Sequence, residues 1–125
     1  MSLTHGHQAI IRRLVEANLG TNLVLPNGQG AALPRYVVQE AGGSQQTRTL
    51  HGLTEAYAEV SVRVETQAGE YATENNTLVA TLVGLFPVGA RFDGVEIKTA
   101  ADVRPAFMAG DGVYAVPVLI KAHFS

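Results

Sequence analysis

Residues 55–66, EAYAEVSVRVET, alternate polar and apolar side chains along the whole stretch. The apolar set consists of Ala56, Ala58, Val60, Val62 and Val64. Because successive side chains of a strand point to opposite faces, this pattern predicts a strand with one buried face and one solvated face. Such strands are typical of antiparallel sheets that are covered on one side only.

Two other stretches carry the helical period. Apolar residues recur every three or four positions over residues 5–18, with Thr4 as a plausible N-cap and Gly20 as a stop. A second apolar stripe begins behind Gly69 and ends at Pro87, which cannot continue a helix. The sequence therefore predicts two amphipathic helices.

The remaining segments predict shorter strands and their turns. Stretches rich in β-branched and aromatic residues favour strands at Leu23–Leu25, Arg35–Glu40, Val95–Thr99, Val103–Phe107 and Val113–Phe124. Residues 41–48, AGGSQQTR, have the character of a hairpin tip, and residues 109–112, AGDG, that of a turn joining the last two strands. Pro105 and Pro117 lack an N–H donor, which predicts edge strands or bulges.

The order of these elements indicates the fold class. Strands come in runs and do not alternate singly with helices, which favours an α+β fold. We expect a mostly antiparallel or mixed sheet with both helices packed on one face. A length of 125 residues is that of one ordinary domain, so residues 1–125 are interpreted as a single unit.

Charge content limits the classes of function. Charged residues make up only 16% of the chain, below the usual quarter, against 46% hydrophobic residues. A surface covered by other subunits explains this as well as a small soluble monomer does. A net charge of −2 argues against nucleic-acid binding, which needs a surplus of basic residues.

The absence of cysteine and of long apolar runs excludes further classes of protein. With no cysteine there is no disulfide, thiol nucleophile or cysteine-based zinc site. No apolar run reaches the eighteen or so residues that span a bilayer, and the N-terminus does not resemble a secretory signal. We therefore expect a protein made in the cytoplasm that does not act on membranes.

Candidate chemistry is sparse. His5 and His7 lie two apart at a helix start, a poor metal-binding spacing, and are interpreted as an exposed terminus. Asp93, Asp102 and Asp111 could gather around a metabolite or a hard cation, but each lies where aspartate is common in turns and strand starts. The sequence predicts no catalytic residue, cofactor or metal ligand, and hence no enzyme.

The stretch LFPVGARFDGVEI, residues 85–97, is the best candidate for a ligand loop. Pro87 ends an apolar run, Gly89 and Gly94 permit unusual backbone angles, and two charged residues lie between them. The residues around it form no recognised ligand-binding motif. The interpretation we favour is a hinge between helix and sheet.

Five segments define the layout of the chain: the helix IRRLVEA (11–17), the strand RYVVQE (35–40), the end LFPVG (85–89), the strand GVEI (94–97) and the stretch YAVPV (114–118). This layout resembles a bacteriophage-related domain family found among tail genes and prophages, similar to the lambda-type tail terminator, or minor tail protein U. The likeness covers nearly the whole chain.

The resemblance implies a structural role. Tail terminators fold as α+β domains and assemble into a hexameric ring on the head-proximal end of the tail tube, where they stop its polymerisation. It implies a virion protein of the tail, assembled in the bacterial host cytoplasm, with copies of itself, the tail tube protein and a head-completion protein as partners. Candidate subunit contacts are Gly43, Ser44, Gln45, Gln46, Arg48, Arg104 and Phe107.

Two alternatives remain open at this stage. One is another neck or connector protein of the virion with similar architecture. The other is a small-molecule-binding or metal-dependent domain that uses Asp93, Asp102 and Asp111.

Overall fold

The computed structural model describes residues 3–26, 28–44, 56–69 and 73–124. These residues form two helices and eight strands. In chain order they are α1 (Leu3–Ala17), β1 (Asn22–Val24), β2 (Arg35–Ser44), β3 (Ala56–Gln67), α2 (Thr73–Gly84), β4 (Arg91–Phe92), β5 (Val95–Glu96), β6 (Asp102–Val103), β7 (Phe107–Gly110) and β8 (Val113–Phe124).

All eight described strands belong to one sheet. Its order is β1-β2-β3-β8-β5-β4, and β6 and β7 also pair with β8. β1 runs parallel to β2, and every other pair is antiparallel. The predicted α+β class with a mixed, mostly antiparallel sheet is confirmed.

The core lies between one face of the sheet and both helices. The apolar set of β3 predicted from residues 55–66 is buried throughout. Tyr36 lies opposite Val64 on this face, and its hydroxyl donates to the Leu78 carbonyl of α2 at 2.8 Å. Arg13 of α1 donates from Nε to the Leu85 carbonyl just beyond α2 at 2.6 Å. The prediction that both helices cover one face is confirmed.

The start of α1 is docked, which corrects the interpretation of the histidines. His7 is buried and donates from Nε2 to the Gly42 carbonyl at 2.7 Å, with Nδ1 3.8 Å from a Glu40 carboxylate oxygen. The ring of His5 is half-buried and hydrogen-bonds to the Asp93 carbonyl at 2.9 Å. The exposed-terminus interpretation was wrong, because the first residues of the helix pack against the sheet and do not project into solvent.

Strand β2 is longer than predicted. Residues 41–44 were assigned to a hairpin tip, but the strand continues to Ser44 through a bulge between Glu40 and Gly43. Gly43 has a φ of 141°, and a Cβ there would collide with the Tyr57 carbonyl. Glycine thus permits the bulge and the pairing at once. The rest of the predicted tip, residues 45–48, lies outside the described residues.

The stretch 85–97 contains a small hairpin rather than only a hinge. α2 ends at Gly84, and Leu85 and Phe86 close its last turn with bonds to residues three positions earlier. β4 and β5 are then joined by Asp93 and Gly94, whose φ values of 47° and 82° fit a two-residue hairpin turn. The strand predicted over Val95–Thr99 is correspondingly short.

The C-terminal strands follow the hairpin prediction with one correction. β7 and β8 pair across the turn at Asp111 and Gly112, while the strand predicted over Val103–Phe107 is split at Pro105 into β6 and β7. The edge-strand prediction for Pro117 was wrong, because β8 lies inside the sheet.

A break in the strand pairing beside β8 explains how this strand accommodates Pro117. The Pro117 carbonyl accepts from Arg104 N–H at 2.8 Å, so it faces β6 and β7. Within a strand the N–H and C=O of one residue point to the same side. The missing donor of Pro117 therefore faces the break between β6 and β7, and the pairing with β3 stays continuous through Arg63.

Candidate functional site

The face of the sheet opposite the helices is lined by cross-strand polar pairs. Glu59 lies opposite Lys121, with 3.8 Å between carboxylate and ammonium, and the Lys121 ammonium lies 4.8 Å from the Tyr57 ring centre. Tyr57 in turn lies opposite His123, with 5.7 Å between ring centres. Opposite charges and aromatic pairs of this kind stabilise the sheet. The polar face predicted for this strand is thus confirmed from Tyr57 to Arg63.

Glu65 is the exception on this polar face, because its side chain is only 3% exposed. It lies opposite Arg35, whose Nε donates to Oε1 at 2.6 Å, and Arg63 Nε lies 3.1 Å from Oε2. The Arg35 guanidinium also donates to the Ala31 carbonyl. Two cations around one buried carboxylate compensate for the loss of its hydration.

Segment 102–112, with β6, β7 and the turn that follows, forms an exposed edge of the molecule that we call the β7 edge. Met108 is 58% and Phe107 42% exposed, and Val103 is half exposed. Phe107 lies opposite Ala115 on the polar face, and Met108 lies opposite Tyr114 on the helix side. Apolar side chains thus project from both faces of this edge, and residues 105–110, PAFMAG, carry no charge.

A groove of about 270 Å³ lies at the other side of the sheet, between the C-terminal end of α1 and β1. We call it the α1–β1 groove. The described residues that line it carry no charged side chain: Leu14, Val15, Asn18, Leu19, Gly20, Thr21, Asn22, Leu23 and Tyr36. Val15 is 50% exposed. Tyr36 is buried in the wall of the groove, and this burial raises the pKa of its hydroxyl.

A second cavity of about 310 Å³ lies between α1 and the β4–β5 hairpin. Arg13 crosses it, with its guanidinium carbon 4.6 Å from the Phe92 ring centre and its Nε bonded to the Leu85 carbonyl. Asp93 at its rim pairs with Arg12 at 3.3 Å. These contacts join α1 to the hairpin, which assigns a structural role to Arg13 and Asp93.

The candidate subunit contacts fall into two separate places. Gly43 and Ser44 end β2, next to the segment that would carry Gln45, Gln46 and Arg48, and those three lie outside the described residues. Arg104 and Phe107 belong to the β7 edge, where Arg104 pairs with Asp102 at 3.5 Å. Their role in subunit contacts stays a prediction.

The three aspartates do not converge. Asp93 is in the β4–β5 turn, Asp102 lies opposite Leu119 of β8, and Asp111 is in the turn before Val113. Six residues of strand separate the last two positions along β8, or about 20 Å. Over the described ranges, no three histidine or acidic side chains are grouped so that they could hold a metal ion. The arrangement contradicts a shared site built from these residues.

Sequence reasoning missed the α1–β1 groove, Met108 and the buried Glu65. A signal for Met108 was present, because PAFMAG is apolar at consecutive positions, although Pro105 marks the stretch as irregular. The groove had no signal, since its residues come from a helix end, a loop and two strands. Glu65 continues the polar set of an alternating strand, so only the flanking arginines reveal its burial.

Known proteins resemble this chain in their fold, as two solved structures show. No protein-family profile and no curated protein sequence matches the chain. One similar solved structure, whose designation states no function, superposes with a TM-score of 0.69 at 20% identity, covering 100% of this chain and 96% of that one. Another is a chain of the virion of a native gene transfer agent particle, with a TM-score of 0.58 at 16% identity, covering 94% and 92%.

At these identities, the two likenesses show a shared fold over nearly the full length of each chain. Among the described residues, no helix has the length and hydropathy that crossing a bilayer requires.

Proposed function

We propose that this chain is a structural protein of a phage or phage-like virion that acts as a tail terminator. In this role, copies of the chain form a ring at the head-proximal end of the tail tube and stop its polymerisation. The head side of the ring then binds a head-completion protein. The chain would work by docking and would transform no substrate.

The observation that carries the proposal is the fold shared with a chain of a gene transfer agent virion over 94% of this chain and 92% of that one. The resemblance to the lambda-type tail terminator seen in the sequence layout supports the finer assignment.

The surfaces of the molecule also favour docking. Apolar side chains are exposed on both faces of the β7 edge, and an uncharged groove lies at the opposite edge of the sheet. Exposed apolar patches that are bordered by polar residues commonly mark protein–protein contacts. The three aspartates, by contrast, are too far apart to form a common ligand site.

A tube-growth assay tests the proposal. The cognate tail tube protein is polymerised in vitro with and without this chain, and tube lengths and ends are measured by electron microscopy. We expect tubes to stop growing when the chain is present and to show a ring-shaped density at one end. When the chain is added to finished tubes, the same ring-shaped density should appear at one end, and the tube length should stay unchanged.

Two results would contradict the assignment. Tubes that grow equally long with and without the chain, and carry no extra density, would exclude a terminator. If density appears at a head-completion protein but never at a tube end, the chain is another neck or connector protein of the virion.

A further inference from the structure

We infer that the β7 edge of one copy docks into the α1–β1 groove of the next copy, with Met108 as the inserted side chain. The inference rests on the proposed function, since it names the surfaces through which the ring would close. It identifies the occupant of the groove as a second copy of this chain.

The positions of the two surfaces favour a head-to-tail contact. β1 and β7 lie on opposite sides of the sheet, separated by β2, β3 and β8. Four strand spacings of about 4.8 Å place them about 19 Å apart, so one molecule cannot satisfy both surfaces by itself. When two different patches on opposite sides of a subunit bind each other, the assembly is a ring or a filament.

The two surfaces match in charge. Neither the lining of the α1–β1 groove nor residues 105–110 carries a charged side chain among the described residues. The charges of the sheet lie instead on the polar face, where Glu65, Glu59 and their basic partners are paired within the chain. Contact between the groove and residues 105–110 buries no ion without a partner, because the charged Asp102, Arg104 and Asp111 lie toward the ends of the β7 edge.

The groove is also large enough to accept the Met108 side chain. The β7 edge projects Met108, which is 58% exposed, and methionine is flexible enough to fill an irregular apolar space. The groove of about 270 Å³ offers Val15, Leu19 and Leu23 as contacts. Asn18, Thr21, Asn22 and Tyr36 also line the groove, whose volume lies just below the roughly 300 Å³ at which pockets for small ligands usually begin.

Engineered disulfides test the contact directly, because the natural chain contains no cysteine. The double variant Val15→Cys with Met108→Cys is purified reduced, assembled on tail tubes or at high concentration, and oxidised. We expect a ladder of covalent oligomers that ends at one closed species on a non-reducing gel. An internal disulfide is excluded because it requires Cα atoms within about 7 Å.

Matched controls define the geometry. A mixture of the two single-cysteine variants should give covalent dimers and nothing larger, since each copy then has one reactive end. Val88→Cys combined with Met108→Cys should give no ladder, because Val88 is exposed and apolar but neither lines the α1–β1 groove nor belongs to the β7 edge. The variant Met108→Lys should lower oligomer formation at least tenfold while the circular dichroism spectrum and melting temperature stay unchanged.

The outcomes separate this contact from the broader function. If the chain caps tubes but the Val15–Met108 pair gives no covalent ladder and Met108→Lys assembles normally, the contact is wrong and the tail-terminator role stands. If cysteine at Met108 links to the tube protein instead, the β7 edge binds the tube and the inference fails. If no oligomer forms and no tube is capped, both proposals fail.

Discussion

Glu65 and Arg35 lie directly opposite each other on β3 and β2, and Arg35 Nε donates to the Glu65 carboxylate at 2.6 Å. The Glu65 side chain is almost fully buried, although it belongs to the polar set of an alternating strand. Arg63, two residues before it on the same face, supplies the second cation. Breaking such a pair leaves a buried charge without compensation, so the cost exceeds that of losing a surface ion pair.

Substitution of Glu65 should therefore be far more costly than substitution of another carboxylate on the same face. We expect Glu65→Gln to lower the free energy of unfolding by about 2 kcal/mol, because two arginines lose their anion. Glu59→Gln is the matched control, since its pair with Lys121 spans 3.8 Å and is partly solvated, and should cost less than about 1 kcal/mol. Urea unfolding followed by circular dichroism measures both. Equal losses would refute the special role of Glu65.

Gly6 permits the close approach of α1 to the sheet. A Cβ at this position would lie 2.6 Å from the Ala58 Cβ and 3.2 Å from the Phe124 ring. We expect Gly6→Ala to lower the free energy of unfolding by about 1 to 3 kcal/mol, although alanine favours helix by about 1 kcal/mol over glycine.

Gly84, the last residue of α2, provides the control for Gly6. A Cβ at Gly84 meets no atom within 4 Å, so Gly84→Ala should raise the free energy of unfolding by about 0.5 kcal/mol. Thermal melts of the two variants compare them directly. A stable Gly6→Ala protein would show that α1 can move away from β3 at little cost.

Asn75 connects α2 to the edge of the core. It is buried, and its Nδ2 donates to the Val64 carbonyl at 2.9 Å and to the Thr66 hydroxyl at 3.1 Å. Asn75→Ala should cost about 1 to 3 kcal/mol of unfolding free energy, because buried groups lose their partner. Its neighbour Asn76 is exposed, so Asn76→Ala should be neutral or slightly stabilising. Chemical denaturation of the pair distinguishes a buried anchor from a general effect of helix propensity.

Tyr36 should make stability decline at alkaline pH. Burial raises the pKa of its hydroxyl, whereas the unfolded side chain titrates near pH 10. Above about pH 10 the unfolded chain releases this proton first, so it binds fewer protons than the folded chain and the free energy of unfolding falls as pH rises. Below that pH the group makes no pH-dependent contribution.

The variant Tyr36→Phe isolates this effect. At about pH 8 it should be less stable by about 1 kcal/mol, since the bond to the Leu78 carbonyl is lost. The difference from the natural chain should shrink between about pH 9 and about pH 11, because phenylalanine has no proton to release. Denaturation curves measured across this range test the prediction. Curves that stay parallel would contradict it.

The alternation of residues 55–66 and the stripes of the two helices were sufficient to predict the fold class. Period two and period 3.6 are local properties, and each decides which face of its own element is buried. Another local signal, the turn composition of AGDG (109–112), predicted the hairpin at Asp111 and Gly112, where glycine accepts a backbone angle that other residues avoid.

The sequence predicted which face of an element is buried better than it predicted which strands pair with each other. Pro117 was assigned to an edge strand or a bulge because a proline lacks its N–H, yet its strand lies inside the sheet beside a break at Pro105. The side to which a missing donor points depends on the neighbouring strands. His7 was misjudged for a similar reason, because its partner at Gly42 is 35 residues away.

By itself, the sequence determined the two helices, the long central strand with its buried face, and an α+β domain poor in charge. Those properties follow from side-chain periodicity and backbone restrictions within short segments. Only the tertiary structure decided that the three aspartates are apart, that Glu65 is buried between two arginines, and that the β7 edge and the α1–β1 groove lie on opposite sides. Such relations depend on strand order and register, which join residues that are distant in the chain.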